Sequence, residues 1–133
     1  MQVDGAHMNV LFHLCIGRIT EENYWAEYSI GLFNSNEEVG NVIKRLMSDG
    51  GPFSEPNCEA RISEIEVVGE GVNMECVHRF YGQNIDSSLE GDLIESAYYA
   101  DKSTAIQELM NAKKNTPRQQ WHLETCKVGQ CNW

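Results

Sequence analysis

Residues 24–47 read YWAEYSIGLFNSNEEVGNVIKRLM, and this stretch decides the fold. Tyr24 to Phe33 carries the aromatic and apolar residues that fill strands. Asn34-Ser35-Asn36-Glu37-Glu38 then marks a helix start. Ser35 stands three residues before Glu38, the spacing of a capping box. Glu37 and Glu38 place negative charge in the first turn, where the helix dipole favours it. Val39, Val42, Ile43, Leu46 and Met47 follow at helical spacing and make one apolar face. Asp49-Gly50-Gly51-Pro52 ends the helix.

Upstream, Phe12 to Ile19 reads as a strand, and Thr20-Glu21-Glu22-Asn23 is a polar turn that makes a hairpin with the next strand. Downstream, Cys58 to Val68 reads as a strand and Gly69-Glu70-Gly71 as a turn. Met74 to Tyr81 is a further strand, expected to pair back on it as a hairpin. Gly82 to Gly91 is an acidic loop and Leu93 to Ala100 a strand. Asp101 caps a second helix with Ala105, Ile106, Leu109 and Met110 on one face, stopped by Asn115-Thr116-Pro117. Gln119 to Val128 is the last strand, and Gly129 to Trp133 a short tail.

The order is ββαβ followed by ββαβ. A shift of 66 positions sets Phe33 on Tyr99, Ser35 on Asp101, Val39 on Ala105 and Ile43 on Leu109, which suggests an internal repeat. Two helices cannot cover both faces of a sheet this wide, and right-handed crossovers put sequential helices on one side. The expected fold is α+β of the ferredoxin-like kind: a mostly antiparallel sheet of about six strands with two helices on one face. The other face would be open, and aromatics such as Tyr28, Tyr81, Tyr98 or Trp121 would make it a binding surface.

The 133 residues suit one domain, 9–133, after a loose leader, 1–8. The longest apolar run, Val10 to Ile16, is too short for a bilayer and lacks the basic flank and cleavage site of a secretory signal. Acids outnumber bases 20 to 10, for a net charge of −10. That balance argues against nucleic acid as a direct ligand and for basic partners. The five cysteines are odd in number, scattered and without a CxxC pair, which points to a reducing cytoplasmic compartment.

No constellation of residues demands catalysis or a cofactor. His122, Cys126 and Cys131, with His78 or His13, could compose a zinc site, but structural zinc sites usually carry paired CxxC knuckles. Cys76 and His78 share a strand face, yet no small-residue loop or helix N-terminus lies beside them to form an oxyanion hole. Gly50-Gly51-Pro52 follows a helix and carries no phosphate-loop Lys. Glu64 and Glu66 alternate with apolar residues as the solvent face of a strand does.

The acids are unevenly spread. Glu55 to Glu95 holds ten acids against two bases, Arg61 and Arg79. If these strands lie side by side, Glu64, Glu66, Glu70, Glu75, Asp86, Glu90, Asp92 and Glu95 form one negative patch that steers a basic protein onto itself.

The whole profile resembles bacterial toxin-immunity proteins, including those that accompany contact-dependent growth-inhibition toxins: small, single-domain, cytoplasmic, often acidic and without a catalytic motif. The resemblance implies one cognate toxin, a basic nuclease, whose active site or substrate path the acidic side chains block. A small-ligand or regulatory ferredoxin-like domain, dimeric through an open sheet face, is the alternative. A small enzyme using Cys76/His78 or a His122/Cys126 metal is the third reading.

Overall fold

The computed structural model describes residues 8–69, 74–84, 93–115 and 119–133. The chain is α+β and mostly sheet, with seven strands and two helices among the described residues: β1 (Met8–Ile19), β2 (Trp25–Phe33), α1 (Asn36–Met47), β3 (Cys58–Val68), β4 (Cys76–Asn84), β5 (Leu93–Glu95), β6 (Tyr98–Tyr99), α2 (Lys102–Asn115) and β7 (Gln119–Lys127). These fall into two compact units. One comprises Val10–Ile65 and Val128–Trp133, the other Glu66–Lys127 with the residues up to Asn9.

In the first unit the strand order is β2-β1-β3. β1 and β2 form the expected hairpin, with Ile19 opposite Trp25 and Phe12 opposite Phe33. The register shifts between Leu14 and Cys15, which face Gly31 and Ser29, so Ile30 is the extra residue. A bulge of this kind breaks the alternation. Here it lets Phe33, Ile30 and Tyr28 all reach the core side, where Leu14, Ile16, Ile30 and Phe33 pack on Val39 and Leu46 of α1 and on Phe53. Ser35 caps α1 as expected: its Oγ accepts the Glu38 N–H at 3.2 Å. After Gly51, the Phe53 N–H returns to the Leu46 carbonyl. That closes the helix and turns Phe53 inward.

The outer edge of β2 is covered over part of its length. Val128 bridges Leu32 in parallel, Gly129 N–H donates to the Leu32 carbonyl at 2.7 Å and Asn132 N–H to the Ile30 carbonyl at 2.9 Å. Trp133 then sets its ring edge-on to Tyr28 and Phe53. An exposed strand edge invites pairing with other chains, and a strap of this kind blunts it.

In the second unit β4 is central. β7 pairs with it antiparallel from Cys76↔Lys127 to Asn84↔Gln119. β5 and β6 pair with its other side, also antiparallel, at Tyr81↔Glu95 and His78↔Tyr99. β3 ends beside β6 in parallel, Val67 opposite Tyr98 and Val68 opposite Tyr99. The expected β3–β4 hairpin is therefore not formed, because β6 lies between them.

The expected Leu93–Ala100 strand is broken at Ser96 and Ala97. The Ser96 hydroxyl accepts the Phe80 N–H at 2.9 Å, a bond that a ladder carbonyl would otherwise make. β4 also runs past Gly82 to Asn84, where the loop was expected to begin, because β7 pairs with it to the end. The sheet is thus mixed, and one helix packs within each unit. Most described pairings are antiparallel, as expected, and the parallel β3–β6 pairing departs from the expected ferredoxin-like arrangement.

α2 buries less than its pattern suggests. Ala105 is fully buried, but Ile106 and Met110 are 40% and 59% exposed. Asp101 does cap it, accepting the Thr104 N–H and the Ser103 and Thr104 hydroxyls.

Candidate functional site

The two faces of the second unit's sheet differ sharply. On one side His78, Phe80, Tyr99 and Trp121 form the covered face. Phe80 stacks on Tyr99 and meets Trp121 edge-on. α2 lies on this side: Lys102 and Asp101 act on His78, and Glu108 on Tyr99. The Trp121 ring lies over Gly82, where an added Cβ would come within 2.6 Å of it. Glycine is required there by close approach alone.

The opposite face carries Arg79 and Tyr81 of β4, Leu93 and Glu95 of β5, and Glu124 of β7. These five residues line an open groove of ≈ 210 Å³. Strand alternation supplies it, since Arg79-x-Tyr81 and His122-x-Glu124-x-Cys126 each put every second side chain on one face. Register places Arg79 opposite Glu124 and Tyr81 opposite both His122 and Glu95.

Arg79 sits between two unequal carboxylates. Its Nε donates to Glu124 Oε1 at 2.7 Å, whereas Nη1 stands 3.9 Å from Glu95 Oε2. Its guanidinium also lies over the Tyr98 ring, 5.3 Å from the centroid. Glu124 further accepts from the Cys126 thiol at 3.4 Å. The Arg79 hydrogen bond holds the Glu124 carboxyl below its ordinary range. Burial first, and the Glu124 carboxylate second, push the Cys126 thiol up to about 11. Tyr81 stacks on His122 at 5.2 Å and walls one side of the groove. Glu95 is the exposed carboxylate, 56% accessible at its side chain.

The open side of the first unit repeats the theme. Arg61 lies over the Trp25 ring at 4.6 Å and 3.7 Å from Glu27. His13 Nε2 is 2.8 Å from Ser29 Oγ and 3.5 Å from the Cys15 sulfur. Burial raises the Cys15 thiol, helped by Glu27, so the thiolate form is disfavoured. On the α1 side Arg18 lies over Tyr28 at 5.6 Å and 3.8 Å from Glu55. Three strand arginines thus each share one aromatic ring and at least one carboxylate.

Of the acids expected to form a patch, Glu64 lies in the first unit and Glu66, Glu75 and Glu95 in the second. All four are exposed. Among the described residues no ion pair engages Glu64, Glu66 or Glu75, while Glu95 belongs to the groove. Glu70, Asp86, Glu90 and Asp92 lie outside the described residues. Of the expected aromatics, Tyr81 and Tyr98 stand on the groove side, Trp121 on the helix side, and Tyr28 in the first unit's core.

Of the residues of the enzyme reading, Cys76 and His78 lie close together, with the His78 ring buried, and the zinc candidates are divided between the two units. His78 is 7% exposed, its Nδ1 is 2.9 Å from Thr125 Oγ1, and burial lowers its pKa. The Cys76 sulfur is 3.8 Å from its other ring nitrogen. This is the setting of a packed core histidine rather than of a base with access to substrate. His122 and Cys126 share the groove face, but Cys131 belongs to the first unit. Among the described residues no three His, Cys, Asp or Glu side chains are placed to hold a metal ion. No described helix is long and apolar enough to cross a membrane.

No family model, no curated protein and no solved structure matches the chain.

Proposed function

We propose that this chain is a non-enzymatic binding protein for a basic protein partner, acting as immunity proteins act on basic nuclease toxins, by covering the partner's active site or substrate path. The observation that carries the reading is how the charge is spent. The arginines on the strands are each satisfied internally by a carboxylate and a ring, while Glu64, Glu66 and Glu75 stand exposed with no ion pair among the described residues. In a chain of net charge −10, these exposed carboxylates stand with few competing cations on the described strands. Such a surface raises the on-rate of a basic partner and rejects polyanions.

The test is capture of the partner at about 50 mM and about 500 mM salt, followed by assay of that partner's activity with and without this chain. Salt-weakened capture and loss of the partner's activity are expected. Reversing Glu64, Glu66 and Glu75 to Lys should weaken capture while the thermal midpoint holds. A reversed variant that folds and binds as before would sink the mechanism.

The groove is the feature a second reading, a small-ligand domain, would use, and its volume counts against that reading. At ≈ 210 Å³ it is smaller than the roughly 300–1,000 Å³ of small-molecule sites. A thermal-shift screen against metabolites tests that reading directly.

A further inference from the structure

The groove's size and charge suit the head of one side chain. We propose that it is a recognition pocket for an arginine side chain of the partner, with Glu95 as the pairing carboxylate and Tyr81 as the stacking wall. This rests on the reading of the chain as a binder of basic proteins.

Two carboxylates face one guanidinium here, so the groove keeps a net negative charge. The two acids are not equivalent. Glu124 is committed: it accepts the Arg79 Nε–H at 2.7 Å and the Cys126 thiol. Glu95 is 3.9 Å from the nearest Arg79 nitrogen and is the more exposed of the two. Tyr98 and Glu124 hold Arg79 on their side, so Glu95 is engaged only through Oε2 at 3.9 Å and its exposed carboxylate can take a second cation.

The walls select the kind of cation. Tyr81 is fixed by its stack on His122, and Leu93, 47% exposed, supplies the apolar side. A guanidinium is planar, weakly hydrated and forked, so it can stack on a ring while it pairs with a carboxylate. An ammonium is a compact, strongly hydrated charge that gains less from the ring. The chain uses the same device on itself three times, in Arg18 with Tyr28 and Glu55, Arg61 with Trp25 and Glu27, and Arg79 with Tyr98 and Glu124. In the groove a second ring, Tyr81, and a second carboxylate, Glu95, stand beside Arg79, and a second guanidinium is to be supplied from outside.

Arg79 is then an internal competitor. Removing its charge frees the groove for the visitor, so a substitution that deletes a positive residue of the site strengthens binding of a cation.

The probe is N-acetyl-arginine amide, titrated into the full chain with methyl-labelled leucines and followed at the Leu93 signals by NMR. N-acetyl-citrulline amide, the neutral isostere, is the control, and N-acetyl-lysine amide the rival cation. A saturable shift with a dissociation constant in the low millimolar range, about 1–10 mM, is expected for arginine and none for citrulline. Glu95→Gln should weaken binding about tenfold and Arg79→Met tighten it by a similar factor. Arg79→Gln, which keeps polarity, repeats the test if the Met variant unfolds. Equal shifts with citrulline, no shift with arginine to roughly ten times that range, or indifference to Glu95→Gln each overturn the proposal. Salt-sensitive capture of a basic protein with a silent Leu93 would reject this pocket and leave the acidic-surface reading standing. Loss of both would reject the two together.

Discussion

Leu32 and Tyr98, 66 positions apart, each meet a valine arriving in parallel: Val128 at Leu32 and Val67 at Tyr98. The same interval relates much else. Phe12 pairs with Phe33 as His78 pairs with Tyr99, and α1 begins at Asn36 as α2 begins at Lys102. Ser35 and Asp101 both cap, and Val39 and Ala105 are both fully buried. In each unit the first strand is central, the second lies to one side, and the sheet's next strand arrives from beyond the unit's own hairpin. Agreement of register, caps and burial at one interval is what a duplicated ββαβ element would leave behind.

The strap on β2 gives the first prediction. Gly129 has φ +82 and donates to Leu32, and an L side chain is strained in that region. Gly129→Ala should cost about 1–2 kcal/mol, read as a shift of the urea midpoint with an unchanged slope. Trp133→Ala should cost less, since that ring is half exposed.

Two tryptophans lie flat over glycines. A Cβ at Gly17 would fall 2.1 Å from the Trp25 ring, and at Gly82 2.6 Å from the Trp121 ring. Gly17→Ala and Gly82→Ala should each force the ring away and destabilise by about 1–3 kcal/mol. Intrinsic fluorescence would show the displaced indole before unfolding. An unchanged spectrum with wild-type stability would contradict the packing.

Stability should fall with acid first through His78 and, lower down, through the carboxyls of Glu124 and the Asp101 cap. His78 is held below its ordinary value of 6.5, mainly by burial, so the unfolded chain takes up its proton first. The stabilisation is whole above pH 6.5 and is lost as pH falls from there through the folded value. Glu124, held low by Arg79, contributes above the ordinary carboxylate range and loses that contribution lower still, weakly because its side chain is 41% exposed. In denaturant titrations across pH, His78→Gln should abolish the upper slope and keep the lower one.

Cysteine reactivity should be graded. With its thiol pushed up to about 11, Cys126 is almost wholly protonated at pH 8, and thiolate is the reactive form. Iodoacetamide in excess should alkylate Cys126 only slowly at pH 8, as peptide mass mapping over time would show. Early labelling of Cys126 would mean that its contact with Glu124 is not maintained in solution.

Much of the local structure was legible in the sequence. Ser35, the spacing of Val39 and Leu46, and the Gly50-Gly51 stop all specify α1 through short-range chemistry. α2 was legible in its Asp101 cap but not in its depth. Periodicity marks a stripe, and only packing decides that Ile106 and Met110 stay exposed. Strand order was hidden, because β6 entering between β3 and β4 depends on contacts distant in sequence. The groove was hidden for the same reason. Glu95 was counted among the acids, yet its place beside Arg79 and Glu124 needs the registers of β4 with both β5 and β7. The alternation Arg79-x-Tyr81 against His122-x-Glu124 was the signal present from the start.

The strap also dictates an order of assembly. The first unit is made of Val10–Ile65 and Val128–Trp133, with all of Glu66–Lys127 translated between them. During synthesis β2 therefore emerges with its outer edge uncovered and stays so until Val128 to Asn132 have been made and have left the ribosome. At about 5–20 residues per second that is a wait of several seconds, in which the unpaired edge can meet other nascent chains or a chaperone. Early termination between Lys127 and Val128 would yield a chain carrying that exposed edge permanently, and aggregation during synthesis should rise with translation pauses placed just before the strap.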